Sequence, residues 1–156
     1  MDAGGPVSTH AITAGTLVRT IDSNEIVVLD VWAEWCEPCD QFASTFERTA
    51  LAHRDVFFGK IDAQREGALV QELRVQALPT LLVYRRSAMV FRKAGGLTPT
   101  ALDELIRQVK DLGGGDGQLQ AIVHWEEEPG ERMGPPLSWS EWLRRLLLHG
   151  KMQLAV

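Results

Sequence analysis

Apolar residues over the first 112 positions fall into short continuous runs and into helical spacings, and this pattern predicts nine elements. Continuous apolar runs predict strands over residues 7–12, 26–32, 56–61, 80–84 and 88–93. Apolar residues three and four positions apart predict helices over residues 14–22, 37–53, 64–73 and 98–112. The order β-α-β-α-β-α-β-β-α indicates an α/β fold, with a central mixed β-sheet flanked by helices.

Single residues add detail to this pattern. Thr13 is the expected N-cap of the first helix, and Leu51 is expected on the sheet-facing side of the second. The connector Arg85-Arg-Ser87 lacks the Asn-Gly usual in tight hairpins, so its geometry stays open. Asp30 interrupts an otherwise apolar strand. It could be a carboxylate capped by a local turn, although its apolar neighbours favour a buried acid.

The last 44 residues have a different composition. Residues 113–117, Gly-Gly-Gly-Asp-Gly, indicate a linker between a domain over 1–112 and an extension over 118–156. Within the extension, residues 119–125 alternate like a strand, and Ser138-Trp-Ser-Glu141 matches a capping box. An apolar Trp/Leu stripe then predicts an amphipathic helix: Trp139, Trp142, Leu143, Leu146 and Leu147. This strand/helix extension could dock on its own domain, form a homodimer or bind a protein partner.

Composition narrows the functional class. Hydrophobic residues make up 45% and charged residues 24%, as is typical of a soluble globular protein. The net charge of −5 and the lack of a Lys/Arg run argue against nucleic-acid binding. No apolar run approaches the roughly 20 residues of a membrane helix, so no membrane association is expected. The first residues lack the features of a signal peptide, so a cytoplasmic location is expected.

The chain has only two cysteines, Cys36 and Cys39, placed where a strand ends and a helix begins. Two cysteines in this arrangement are typical of a redox pair. The positive end of the helix dipole would favour a thiolate at Cys36, and Cys39, one turn into the helix, is expected to be the more buried. A zinc site needs about four ligands. The four histidines lack ligand spacing, so no metal is expected, and they are interpreted as surface or packing residues: His10, His53, His124 and His149.

The segment Asp30-Val-Trp-Ala-Glu-Trp-Cys-Glu-Pro-Cys39 resembles the active-site segment of thioredoxins. The segments Lys60-Ile-Asp, Ala77-Leu-Pro-Thr80 and Ala94-Gly-Gly-Leu-Thr98 follow at the spacing of that family, so the resemblance covers roughly residues 7–112. It implies the thioredoxin fold and a protein disulfide reductase that works through a mixed disulfide. Cys36 would attack the substrate disulfide and Cys39 would resolve the intermediate.

The resemblance also implies roles for other residues. Asp30 matches a buried acid that takes the proton of the second cysteine, and Lys60 matches a lysine that can pair with this acid. Leu78-Pro79 matches a cis peptide bond beside which the backbone pairs with an extended substrate, although it could also be an ordinary turn. Six residues are implied in substrate binding: Trp35, Glu37, Pro38, Leu78, Pro79 and Gly95. Trp35 could instead fill space, and Gly95 could mark a strand bulge.

The resemblance further implies that no cofactor is bound and that the partners are disulfide-containing proteins. Electrons would come from a separate NADPH-dependent thioredoxin reductase, since the chain has no nucleotide or flavin motif. Glu37 and Asp40 depart from the family, which usually has Gly and Lys or Arg there; with Glu34 they predict an acidic active-site rim and a substrate range of its own. The alternative function is a thioredoxin-fold adaptor or chaperone-like module that binds through its Trp-rich extension.

Overall fold

A computed structural model describes residues 8–112, and the predicted linker and extension lie outside the described residues. The elements follow one another in the predicted order: β1 His10–Ala11, α1 Leu17–Ser23, β2 Ile26–Trp32, α2 Glu37–Ala52, β3 Phe57–Asp62, α3 Gly67–Glu72, β4 Thr80–Arg85, β5 Ala88–Ala94 and α4 Pro99–Asp111. The predicted α/β class is therefore confirmed.

These strands form one mixed sheet in the order β1-β3-β2-β4-β5. The three strands β1, β3 and β2 are parallel, whereas β4 is antiparallel to β2 and to β5. Alternate residues of β2 face opposite sides, so Val28 packs in the cluster under α2 and α4, and Leu29 in the cluster under α1 and α3. The central position of β2 explains its almost wholly apolar sequence.

Within the described residues, strand β1 has only two residues; the sequence pattern predicts a strand over residues 7–12, of which residue 7 lies outside the described range. Its ladder with β3 consists of the pairs His10–Gly59 and Ala11–Lys60. Gly59 permits close packing at this edge, because a Cβ there would lie 2.6 Å from Ile12 and 2.8 Å from Leu29.

Helices α1 and α3 begin later than predicted because polar turns precede them. Thr16, not Thr13, is the N-cap position of α1. The Thr13 N–H donates to the side-chain Oγ1 of Thr16 at 3.0 Å. Before α3, Asp62 Oδ1 accepts the N–H groups of Gln64 and Arg65 at 2.9 and 3.3 Å. Such side-chain-to-backbone bonds stabilise turns at the expense of the helix.

The β4–β5 hairpin turns through two residues with left-handed backbone, Arg86 at φ 47° and Ser87 at φ 66°. Asn and Gly favour this turn intrinsically, whereas here tertiary contacts hold it. The Arg86 N–H donates to Glu25 O at 2.8 Å, and Ser87 Oγ donates to Asp22 Oδ1 at 3.0 Å. The geometry that the sequence left open is thus set by residues around the α1–β2 connection.

The end of α2 differs from the prediction at Leu51, whose side chain was expected to face the sheet. Leu51 is 46% exposed, because Phe46 and Ala50 occupy the buried face of the helix. His53 caps the helix and is buried. Its Nε2 lies 2.6 Å from Asp103 Oδ1 and its Nδ1 lies 2.9 Å from Lys110 Nζ. His53 therefore packs between α2 and α4, as expected of a structural histidine.

Candidate redox site

Cys36 and Cys39 lie at the N-terminus of α2 and are joined in a disulfide, with their Cα atoms 5.2 Å apart. Cys36 is the N-cap residue, and its Sγ accepts the backbone N–H of Cys39 at 3.2 Å. The sulfur thus takes the place of the oxygen that usually caps a helix. Pro38 fits the first turn, where a missing N–H is tolerated. The free N–H groups and the helix dipole of this terminus favour a negative charge on Cys36 after reduction.

The exposure of the two cysteines differs from the prediction. Cys36 is 4% exposed and Cys39 is 3% exposed, so the expected contrast between them is not seen in the disulfide form. Side chains packed against the disulfide account for this burial: Trp32, Ala33, Ala63 and Leu78. The hydrogen bond to Cys36 Sγ, rather than exposure, therefore distinguishes the two sulfurs. Ala33 and Ala63 were missed from the sequence, where a small residue gives no signal of its position.

Three further segments lie at the same edge of the sheet as the disulfide. Val31, near the end of β2, pairs with Thr80 at the start of β4, and Leu78–Pro79 directly before β4 is a cis peptide. The Gly95 N–H, just after β5, donates to Pro79 O at 2.7 Å. The structure therefore brings together Leu78, Pro79 and Gly95, which are far apart in sequence from the cysteines.

Trp35 and two glycines shape the surface around this edge. Trp35 is 69% exposed, which argues against a space-filling role. Gly95 has φ 92°, a backbone that favours glycine, and a Cβ there would meet nothing within 4 Å. The bulge of this hairpin lies opposite Val83 and Tyr84, so the bulge alternative for Gly95 is wrong. Gly96 was missed from the sequence, and a Cβ there would lie 2.9 Å from the Phe42 ring.

Asp30 lies in the middle of β2 and is 1% exposed, so the local-turn alternative is wrong. Neither carboxylate oxygen has a hydrogen-bond partner among the described residues. Burial raises the pKa of Asp30 to about 7, and the positive charge of Lys60 opposes this rise. Lys60 pairs in register with Asp30 on the neighbouring strand, and its Nζ lies 4.9 Å from the centroid of the Trp32 ring. No ion pair within 4 Å joins these two described residues, so Lys60 acts on the carboxylate through space.

The part of the chain that the structure describes contains neither a candidate metal site nor a candidate membrane span. Among residues 8–112, no group of three or more His, Cys, Asp or Glu side chains is arranged to hold a metal ion. Within the same range, no helix combines the length and apolar character of a membrane span.

Comparisons with known proteins agree with this geometry. The sequence model of the thioredoxin family matches residues 8–108. A Streptomyces coelicolor protein provisionally named thioredoxin 2 is 38% identical over 105 residues, which cover 67% of this chain and 78% of that protein. Thioredoxin-1 of Saccharomyces cerevisiae is 32% identical over 94 residues, covering 60% of this chain and 90% of the relative. The crystal structure of thioredoxin from Trypanosoma brucei brucei matches with a TM-score of 0.60 and 29% identity, and the match covers 70% of this chain and 96% of the trypanosome chain.

Proposed function

Because this chain belongs to the thioredoxin family, we propose that Cys36 is the attacking thiol and Cys39 the resolving thiol of a protein disulfide reductase. The chain is a thiol–disulfide oxidoreductase, and its family acts on disulfide-containing proteins without a bound cofactor. The hydrogen bond from the Cys39 N–H to Cys36 Sγ carries the assignment of roles. It supports Cys36 as the sulfur whose negative charge the helix terminus stabilises.

Reduction of a substrate takes two exchange steps. The Cys36 thiolate attacks one sulfur of the substrate disulfide; a bond forms between these sulfurs, the substrate S–S bond breaks, and the leaving thiolate takes a proton. Cys39 then attacks Cys36 Sγ in the mixed disulfide. The Cys36–Cys39 disulfide forms, and the substrate leaves as a dithiol that has gained two electrons and two protons.

Asp30 is the proposed acceptor of the Cys39 proton. A base works best when its pKa lies close to the working pH, and burial raises the pKa of Asp30 to about 7. Its carboxylate oxygens have no hydrogen-bond partner among the described residues, so they remain available to a proton. Lys60 would limit the rise of this pKa and so keep part of Asp30 ionised at neutral pH.

We propose that substrate segments bind across the sheet edge beside the disulfide. Leu78 packs beside the disulfide directly before β4, and the open space at Gly95 would admit a second chain. The exposed side chains of Trp35, Glu37 and Pro38 would contact the same segment. Backbone pairing of this kind accepts many sequences, so side chains at the rim must provide selectivity.

Each cycle leaves the pair oxidised, so two electrons must return from another protein. We propose a separate NADPH-dependent thioredoxin reductase as the source and the reducing cytoplasm as the location. A reductase direction is consistent with such a compartment, where thiols are kept reduced.

Two serine variants test the assignment. Cys36→Ser should abolish reduction of a disulfide substrate, whereas Cys39→Ser should accumulate a mixed disulfide that dithiothreitol releases. The Cys36→Ser/Cys39→Ser double variant is the control and should trap nothing. Limiting iodoacetamide on the reduced protein should label Cys36 first. Preferential labelling of Cys39, or trapping by Cys36→Ser, would show that the roles are reversed.

A further inference from the structure

Three exposed carboxylates flank the two cysteines in the chain and are called the acidic rim here: Glu34, Glu37 and Asp40. Glu34 lies in the turn that joins β2 to α2, Glu37 is the first residue of α2, and Asp40 follows in the first turn. Because the two cysteines alternate with these acids in the chain, a substrate that reaches Cys36 must approach the rim.

The acidic rim forms no ion pair among the described residues. None of its carboxylates lies within 4 Å of a basic group in residues 8–112, where the basic side chains in ion pairs engage other partners. Arg65 follows β3 at the same edge of the sheet, but its Nε lies 3.7 Å from Asp62 Oδ2. Lys60 lies over the Trp32 ring. The carboxylates of the rim therefore have no ion-pair partner within this part of the chain.

Helix stability explains only part of the rim. Acidic residues in the first turn interact favourably with the helix dipole, which accounts for Glu37 and Asp40. Glu34 precedes the N-cap and lies outside the helix. All three carboxylates disfavour a thiolate at Cys36, because like charges repel. A cationic substrate segment would offset this repulsion as it binds.

Trp35 provides a second, independent feature of the same surface. Trp35 is 69% exposed and lies in the chain between Glu34 and Cys36. The face of an indole ring attracts the ammonium of lysine and the guanidinium of arginine. An exposed indole bordered by carboxylates therefore has the chemistry of a surface that binds cationic side chains.

We propose that the acidic rim and Trp35 select disulfide-bearing polypeptides in which lysine or arginine flanks the reacting cysteine. This inference rests on the proposed function of Cys36 as the attacking thiol, and it names the substrate class of that site. The acidic residues alone would form no site; the redox disulfide between them is what engages the partner. Opposite charges accelerate encounter, and salt weakens this effect because the Debye length is only about 8 Å at physiological ionic strength.

The test uses the full chain, reduced with dithiothreitol and desalted, and three cyclic disulfide peptides. The peptides are identical except that lysine, glutamine or glutamate flanks both cysteines. Single-turnover release of peptide thiols is measured at low and at high salt. The lysine peptide should react about tenfold faster than the glutamate peptide at low salt, within the range that steering provides. High salt should shrink this ratio toward one.

A matched pair of variants separates the effect of the rim carboxylates from the effect of the net charge of the protein. Glu34→Gln/Glu37→Gln/Asp40→Asn should abolish the preference for the lysine peptide. The control replaces three exposed carboxylates elsewhere and should keep it: Glu47→Gln/Glu104→Gln/Asp111→Asn. Circular dichroism checks that both variants fold. If the rim variant does not fold, Glu34→Gln alone, outside the helix, should still lower the ratio.

Several outcomes would overturn the inference. Equal rates for the three peptides would show that the site does not select by charge, while the proposed reductase function would stand. An equal loss of preference in rim and control variants would attribute it to net charge. Rates that rise with salt for every peptide would indicate that basic residues of the chain itself already cover the rim. In contrast, failure of the unmodified chain to reduce any peptide faster than Cys36→Ser does would refute the proposed function itself.

Discussion

Replacing Asp30 by asparagine should stabilise the oxidised protein, and increasingly so as the pH rises. Burial raises the pKa of Asp30 from its ordinary value of 3.8 to about 7. The folded protein therefore holds this proton more tightly than the unfolded chain. The contribution of this proton to the stability of the unmodified protein is greatest below the unfolded pKa of 3.8, falls as the pH rises, and is lost in full above about pH 7. Asp30→Asn has no such proton and escapes this loss.

The size of the effect follows from the same two values. The difference between 3.8 and about 7, at about 1.36 kcal/mol per pH unit, corresponds to about 4 kcal/mol. The unfolded carboxyl is already largely ionised at pH 5, so asparagine should add about 2 kcal/mol there and about 4 kcal/mol at pH 8.5. Near pH 3.5 the gain should vanish, because a protonated Asp30 and an asparagine are both neutral and buried without a hydrogen-bond partner among the described residues.

Guanidinium denaturation of the oxidised protein at several pH values measures this difference. Asp40→Asn is the matched control: it removes a carboxylate from the same site, but an exposed one, and should change the free energy of unfolding by less than about 0.5 kcal/mol. A gain from Asp30→Asn that does not vary with pH would refute the linkage argument. The same variant should slow resolution of the mixed disulfide, and an unchanged rate across pH would refute the proton-transfer role.

Further predictions concern the rim, the sheet and the domain boundary. Glu37→Gly with Asp40→Lys should lower the pKa of the attacking thiol and raise the redox potential, because less negative charge opposes the thiolate; a null or downward shift at low salt contradicts this. Gly59→Ala should destabilise the protein by about 1–3 kcal/mol, because its Cβ would lie 2.6 and 2.8 Å from buried side chains, whereas Gly67→Ala meets no neighbour within 4 Å and is the control. Truncation after Leu112 should leave a folded, active domain. If the truncated chain unfolded, the predicted domain boundary would be wrong.

Local sequence determined the order of the elements and the position of the redox pair. The run over Ile26–Trp32 is a strand covered on both faces, and the apolar stripe of α4 is buried as its spacing predicts. The cysteines lie at a helix start because strand and helix patterns meet there. Such features depend on residues within a few positions of one another, so they can be read from the chain.

Tertiary structure alone decided features that depend on distant residues. The strand order, the two-residue length of β1 and the exposure of Leu51 follow from which elements pack together. The left-handed turn at Arg86 and Ser87 exists because Glu25 and Asp22 hold it. Each of these outcomes is a balance of contacts across the sheet, and hydrophobic periodicity contains no information on such contacts.

The same division applies to the redox site. Sequence identified the two cysteines, but burial of both by Ala63 and Leu78, from the loops after β3 and before β4, became evident only in the fold. Likewise, an isolated Asp30 in a strand pattern indicates a buried acid, whereas the rise of its pKa depends on desolvation by the surrounding core and on the Lys60 charge across the ladder. Sequence thus determined which groups carry the chemistry, and tertiary structure determined their solvent and electrostatic environment, because desolvation and Coulomb interactions depend on distances in space rather than on separation along the chain.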